Sequence, residues 1–242
     1  MRLMPRLWVF LWCCGLLLAR TVPAGAAAAT ERDVHTAATL EMMKGHLIAA
    51  LGNSTRGQMP LAQAHAAHPL HEEYRELPDT LAKEHPALDR QLQEALTRLQ
   101  QGLGGQPTGG DVARQVEAAS ELLDQAAEAL IPAETRRTPA FQAGVLSVLL
   151  DDIAEEYAEA VQGGNVVNLA EYQDAFGFLQ RARALLGPLT GRLPVEARAR
   201  LQTRWAALEE AMPGIMPPAS PASSDAVEGY VSAITAVLRQ LR

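Results

Sequence analysis

Residues 64–74 read Ala-His-Ala-Ala-His-Pro-Leu-His-Glu-Glu-Tyr, the densest concentration of metal-competent side chains in the chain. His65, His68 and His71 recur at every third position. His68 and Glu72 stand four apart, which puts imidazole and carboxylate on one helical face if Pro69 only begins a helix. A further ligand is available from His46, which follows Lys44-Gly45 in a separate apolar stretch. Imidazole and carboxylate together suit iron, zinc, copper or nickel, with geometry deciding among them. All six histidines lie in the first third of the chain, and His35 and His85 are expected to be ordinary. The competing reading is that these histidines are exposed or cap the core and hold no metal.

A second set of candidates lies further along. Asp152, Glu155 and Glu156 interrupt an apolar face whose rows include Phe141, Val145, Val148 and Leu149. A buried carboxylate is costly unless it is hydrogen-bonded, paired or coordinated, so Asp152 and Glu156 are candidate cation ligands. The alternative is that Asp152 bonds a neighbouring helix end, an arginine or Tyr172. Catalytic patterns are missing: there is no His-Glu-x-x-His, no Gly-x-Ser-x-Gly and no phosphate loop, and no Glu-x-x-His of a ferritin-like dinuclear centre. The expectation is a protein that is not an enzyme, without catalytic residues; an enzyme reading would need a redox centre made from the same histidines with Asp152 or Glu156.

Helices must position these residues. Val34, Ala38, Met42, Gly45 and Ala49 form a stripe that predicts a helix over residues 30 to 51, capped by Thr30 with Asp33. Pro60, Pro69 and Pro86 each suit a first helical turn, which predicts short helices near 60 to 67 and 69 to 77 and a longer one from 86 to 102. Further helices are expected from 111 to 130, from 139 to 161 after Thr138-Pro139, from Asn168 to Gly187-Pro188, from Pro194 to 211, and through Val227, Val231, Ile234, Leu238 and Leu241. No sustained alternation of β-branched and aromatic residues suggests a sheet. The fold class is all-α, an antiparallel helical bundle of about seven or eight helices including short ones in the N-terminal half. Residues 27–103 form a His-containing helical region, 104–110 a Gly-rich link and 111–242 a helical bundle; the two parts form either one continuous domain or two.

Residues 1–26 read as a signal peptide. Arg2 and Arg6 precede an apolar run from Leu7 to Ala19, shorter than the roughly 20 residues of a membrane span, and Ala24-Gly25-Ala26-Ala27 offers a cleavage site. Cleavage removes both cysteines, Cys13 and Cys14, whose adjacency already excludes a disulfide framework or a cysteine-ligated centre. It also removes Arg2, Arg6 and Arg20 and no acid, making the remainder more acidic than the whole chain at -7. Such a surface suits cations and argues against nucleic acid.

Two stretches resemble a known family. Val148-Leu-Leu-Asp-Asp-Ile-Ala-Glu-Glu-Tyr157, followed by Ala160-Val161-Gln162-Gly-Gly-Asn-Val-Val-Asn-Leu-Ala-Glu-Tyr172, resembles the helical periplasmic domain ahead of the membrane part in many bacterial high-affinity iron permeases. Met43-Lys-Gly-His-Leu47 with the histidine-rich stretch to Tyr74 is similar to helical proteins of the same broad exported group. The chain carries neither an Arg-Glu-Gly-Leu-Glu transport motif nor the His-x-x-Glu of imelysin-like iron-uptake proteins, so the resemblance implies a soluble stand-alone relative, not a permease. It implies a ligand cluster of His46, His68 and Glu72 assisted by His65 or His71, with Asp152 and Glu156 structural or cation-linked. The expected protein is periplasmic, has no stable membrane insertion after cleavage, and binds a transition metal (iron, copper or zinc) in uptake, buffering or sensing beside an inner-membrane transporter or other periplasmic protein. The alternative is a periplasmic helical interaction or accessory protein without metal.

Overall fold

Side-chain caps set where the long helices begin. In the computed structural model, which describes residues 30–105 and 107–241, Thr30 accepts from the Asp33 amide while Asp33 accepts from the Thr30 amide, closing a capping box on α1 (Glu31–Ser54). Thr108, Thr138, Asn168 and Ser223 cap α5 (Gly109–Leu130), α7 (Pro139–Ala160), α8 (Leu169–Thr190) and α10 (Ser224–Leu238) by the one-way contact, each side chain accepting a first-turn amide. The other helices are α2 (Met59–His71), α3 (Thr80–Glu84), α4 (Pro86–Leu103), α6 (Ala133–Arg136) and α9 (Val195–Ala211). With five residues α3 is too short to be stable alone, and Leu81, fully buried, ties it to the core. The all-α reading holds. The signal-peptide expectation falls outside the described residues.

Two boundaries differ from those the prolines predict. Helix α2 runs through Pro69 to His71, and α8 runs through Pro188 to Thr190, so neither proline starts or stops a helix. Each sits in the last turn, where a missing amide hydrogen forfeits a single backbone bond. The Gly163-Gly164 link is also more ordered than a plain break. Both glycines have positive φ, and they join two-residue strands β1 (Val161–Gln162) and β2 (Asn165–Val166) in an antiparallel hairpin between α7 and α8.

Apolar faces sort the helices into two groups. Leu40, Met43 and Leu47 of α1 pack with Leu92, Leu96 and Leu99 of α4 and with Val112, Val116 and Leu123 of α5. Leu146, Leu150 and Ile153 of α7, Phe178 and Leu179 of α8, Leu201 and Leu208 of α9, and Val231 and Ile234 of α10 form the second cluster. Helix α1 joins the groups, since it packs against α2, α5, α7 and α8 and is buried along most of its length. Its polar face is answered in kind: Glu41 accepts from Lys44 Nζ at 3.0 Å and from Arg181 Nε at 2.7 Å, and Lys44 also pairs with Asp124.

Helices α1 and α8 approach each other closely at Gly45 and Gly177. A Cβ built at Gly45 would strike the Phe178 ring, and one built at Gly177 would fall on the Gly45 carbonyl oxygen. Only the absence of side chains at both positions lets the two backbones touch. The residue after Gly45 is His46, and Asp174 precedes Gly177 by one helical turn. This contact therefore places an imidazole against a carboxylate in the core.

Candidate metal centre

Four side chains from three helices converge at that crossing. His46 comes from α1, His65 and His68 from α2, and Asp174 from α8, and one ligand atom from each lies within 4.8 Å of all the others. The Nδ1 atoms do the converging: His46 Nδ1 is 2.6 Å and His65 Nδ1 2.8 Å from Asp174 Oδ1, and His68 Nδ1 is 3.4 Å from Asp174 Oδ2. His46 and His65 are buried, and His68 stands at the half-exposed edge. The rings brace one another edge to face, His46 lying 4.9 Å from both His68 and Phe178 between centroids.

The outer nitrogens are held as well. His46 Nε2–H donates to Glu73 Oε1 at 2.6 Å, and His65 Nε2–H donates to Gln173 Oε1 at 2.8 Å. The Gln173 amide is oriented in turn by Asn53, which donates to Gln173 Oε1 at 2.8 Å and accepts from Gln173 Nε2 at 3.1 Å. An acceptor at Nε2 keeps the proton there and leaves the Nδ1 lone pair for the centre, the arrangement that orients imidazole ligands in metal sites. Glu73 Oε2 is buried without a hydrogen-bond partner, and Asp174 Oδ2 has only the 3.4 Å ion-pair contact of His68. Under-satisfied carboxylate oxygens beside converging imidazoles, in a three-nitrogen, one-carboxylate donor set, fit a borderline transition-metal ion.

Without metal the same groups pair as ions. Burial alone would lower the His46 pKa, but the charge and hydrogen bond of Asp174, followed by those of Glu73, outweigh it and raise it from 6.5 to about 10. The His68 pKa is raised, chiefly by its interaction with Asp174. For Asp174, burial works upward, yet the His46 charge and the three histidine contacts hold it well below 3.8. The signs give a stability window. The His46 contribution is full below pH 6.5 and is lost as pH rises through about 10; the Asp174 contribution is full above pH 3.8 and is lost as pH falls further. Thermal melts of chelator-treated protein should show their plateau between those limits, with the midpoint temperature falling on both sides; an unchanged midpoint from pH 6.5 to 10 would contradict the doubly paired His46.

Of the residues that sequence spacing singles out, His46, His65 and His68 meet. Glu72 lies at the edge, exposed, with Oε2 4.0 Å from His68 Nδ1. His71 is exposed and stands apart from this four-residue group. The reason is angular: at about 100° per residue, each three-residue step drifts by about 60°, so His71 lies about 120° round from His65 once α2 continues through Pro69. Asp152 is half-buried on α7 among other acids; burial and then the charges of Glu155 and Asp151 raise its pKa to about 6. Glu156 is closer, since it feels Asp174 and His46, but burial and a hydrogen bond to Glu171 raise its pKa to about 9. Spacing alone misses Asp174, Glu73, Gln173 and Asn53. For Asp174, Gln173 and Asn53 the signal is polarity on faces otherwise filled by Tyr172, Ala175, Phe178 and Leu179 or by Ala49 and Ala50.

Residues 132–242 match the family model of the iron permease-associated 4-helix bundle domain. No curated protein and no solved structure matches the chain. The matched segment spans α6 to α10 and contributes Asp174 and Gln173 to the centre, whereas His46, His65, His68 and Glu73 all precede it. No helix among the described residues is long and apolar enough to cross a membrane.

Proposed function

We propose that this protein, whose residues 132–242 match the family model of the iron permease-associated 4-helix bundle domain, binds a transition-metal ion through His46, His65, His68 and Asp174 and handles it outside the cytoplasm for a membrane transporter. The observation that carries the reading is the convergence of three imidazole Nδ1 atoms on one buried carboxylate, with two of the three outer nitrogens held by acceptors. A structural histidine needs one or two partners. Three of them aimed at one buried carboxylate, two at Oδ1 and one at Oδ2, is what coordination requires. Iron, copper and zinc all suit the donor set, and the family context favours iron. The half-exposed His68, with Glu72 beyond it, gives the ion a way in from solvent. The acidic chain and the expected leader support a periplasmic location beside an inner-membrane partner as part of this reading.

Calorimetric titration of chelator-treated protein tests this reading. One Zn(II) or Co(II) should bind per chain, and binding should weaken by more than about tenfold in His46→Ala and in His65→Ala. Coordination at His46 Nδ1 displaces the proton that Asp174 holds there, so affinity should fall about tenfold per unit drop in pH for each proton released. Absence of stoichiometric binding, or affinity unchanged in both variants, would overturn it.

A further inference from the structure

We propose that the centre is charge-matched to a divalent ion, and that Glu73, a positioning residue one imidazole away from the ligand atoms, supplies half of the matching charge. This rests on the metal-binding reading and names the class of ion taken.

A cation enclosed in a protein core needs counter-charge inside the core, because solvation by water is lost. In the ligating tautomer His46 and His65 are neutral, their Nε2 protons held by Glu73 and Gln173. Two enclosed carboxylates then remain: Asp174 at the ligand atoms, 1% exposed, and Glu73, 8% exposed, with Oε1 2.6 Å from His46 Nε2. Together they balance a dication and leave a trication one charge short. Other charges nearby do not alter that sum. Lys44 and Arg181 are answered by Glu41 and Asp124, while Glu156, Glu171 and Glu72 stand at half-exposed or exposed positions, screened by solvent.

The two outer acceptors are unlike, and that difference sets the charge. Glu73 gives His46 an anionic partner, which makes the imidazole a stronger donor. Gln173 gives His65 a neutral one, locked by Asn53 so that its oxygen faces the ring. A glutamate at 173 would fit the same contact and add the third negative charge. The donor atoms argue the same way: three imidazole nitrogens suit borderline divalent ions, whereas hard trivalent ions prefer oxygen.

Competition titrations on the metal-free full chain test the proposal, with Zn(II) and Co(II) as divalent probes and Ga(III), supplied as its citrate complex, as a redox-inert trivalent probe. The wild type should bind one Zn(II) or Co(II) and favour it over Ga(III). Glu73→Gln should weaken Co(II) by about 10- to 100-fold with stoichiometry kept, and shift the Co(II) visible spectrum. Glu73→Asp, which keeps the charge, should restore part of the affinity. Gln173→Glu should move the Ga(III)-to-Zn(II) affinity ratio toward Ga(III), a ratio that partial loss of folded protein does not change. Ga(III) binding as tightly as Zn(II) in the wild type, or Co(II) affinity and spectrum unchanged in Glu73→Gln, would overturn the divalent match while leaving metal binding intact. Failure of all three ions to bind would overturn both.

Discussion

Replacing Asp174 with asparagine is expected to reduce metal affinity by well over about 100-fold, more than the loss of an outer-shell partner costs. Asp174 is the one residue that all three histidines address, and it is nine-tenths or more enclosed. The amide keeps the size and removes the charge. In the metal-free protein the same change leaves the His46 imidazolium with Glu73 as its remaining carboxylate partner in a dry core. Breaking a buried ion pair from one side costs about 3–5 kcal/mol, an upper bound here because His46 can release its proton instead. Urea unfolding of the chelated variant should therefore show a lowered midpoint, and the His46 titration, followed by NMR, should move down from about 10. An unaltered His46 titration would show that Asp174 is not its principal partner.

Gly177→Ala is expected to damage stability and metal binding together. The added methyl meets the Gly45 carbonyl oxygen, a backbone atom that cannot rotate away, so α1 and α8 must part. Overpacking of this kind costs about 1–3 kcal/mol and sometimes more. Parting the helices also draws His46 from Asp174, so metal affinity should fall although no ligand has changed. Gly229→Ala is the comparison: it lies exposed within α10, its Cβ would meet nothing within 4 Å, and the gain in helix propensity is up to about 1 kcal/mol. Thermal melts of the two variants should shift in opposite directions, and Co(II) affinity should fall only in Gly177→Ala. Equal behaviour would remove the glycine contact from the account of how the site is built.

How much of this was legible beforehand depends on the range over which each signal acts. Caps and apolar stripes are local, so Thr30 with Asp33, Thr138-Pro139 and the Val227-to-Leu238 stripe place helices within a few residues of their observed limits. Prolines mislead at 69 and 188 because a last-turn proline reads from sequence as the start of a helix at one and as its stop at the other. At the site, His46, His65 and His68 stand out by residue type. Their shared carboxylate does not: it is 128 positions from His46 and 109 from His65, and no spacing rule spans that distance. Reasoning about buried acids points to Asp152, on a helix whose apolar run is conspicuous, whereas the more deeply enclosed carboxylate is Asp174 on the next long helix. Glu73 and Glu72 are neighbours in sequence, and the end of α2 sends one inward to His46 and the other toward solvent.

The most direct test is anomalous X-ray scattering from crystals of the protein loaded with one equivalent of Zn(II), measured across the zinc edge. A single strong peak is predicted between Nδ1 of His46, His65 and His68 and the Asp174 carboxylate, with Glu73 and Gln173 still on the outer nitrogens of His46 and His65. A peak at any other place, or none, would contradict the assignment of this cluster as a metal centre.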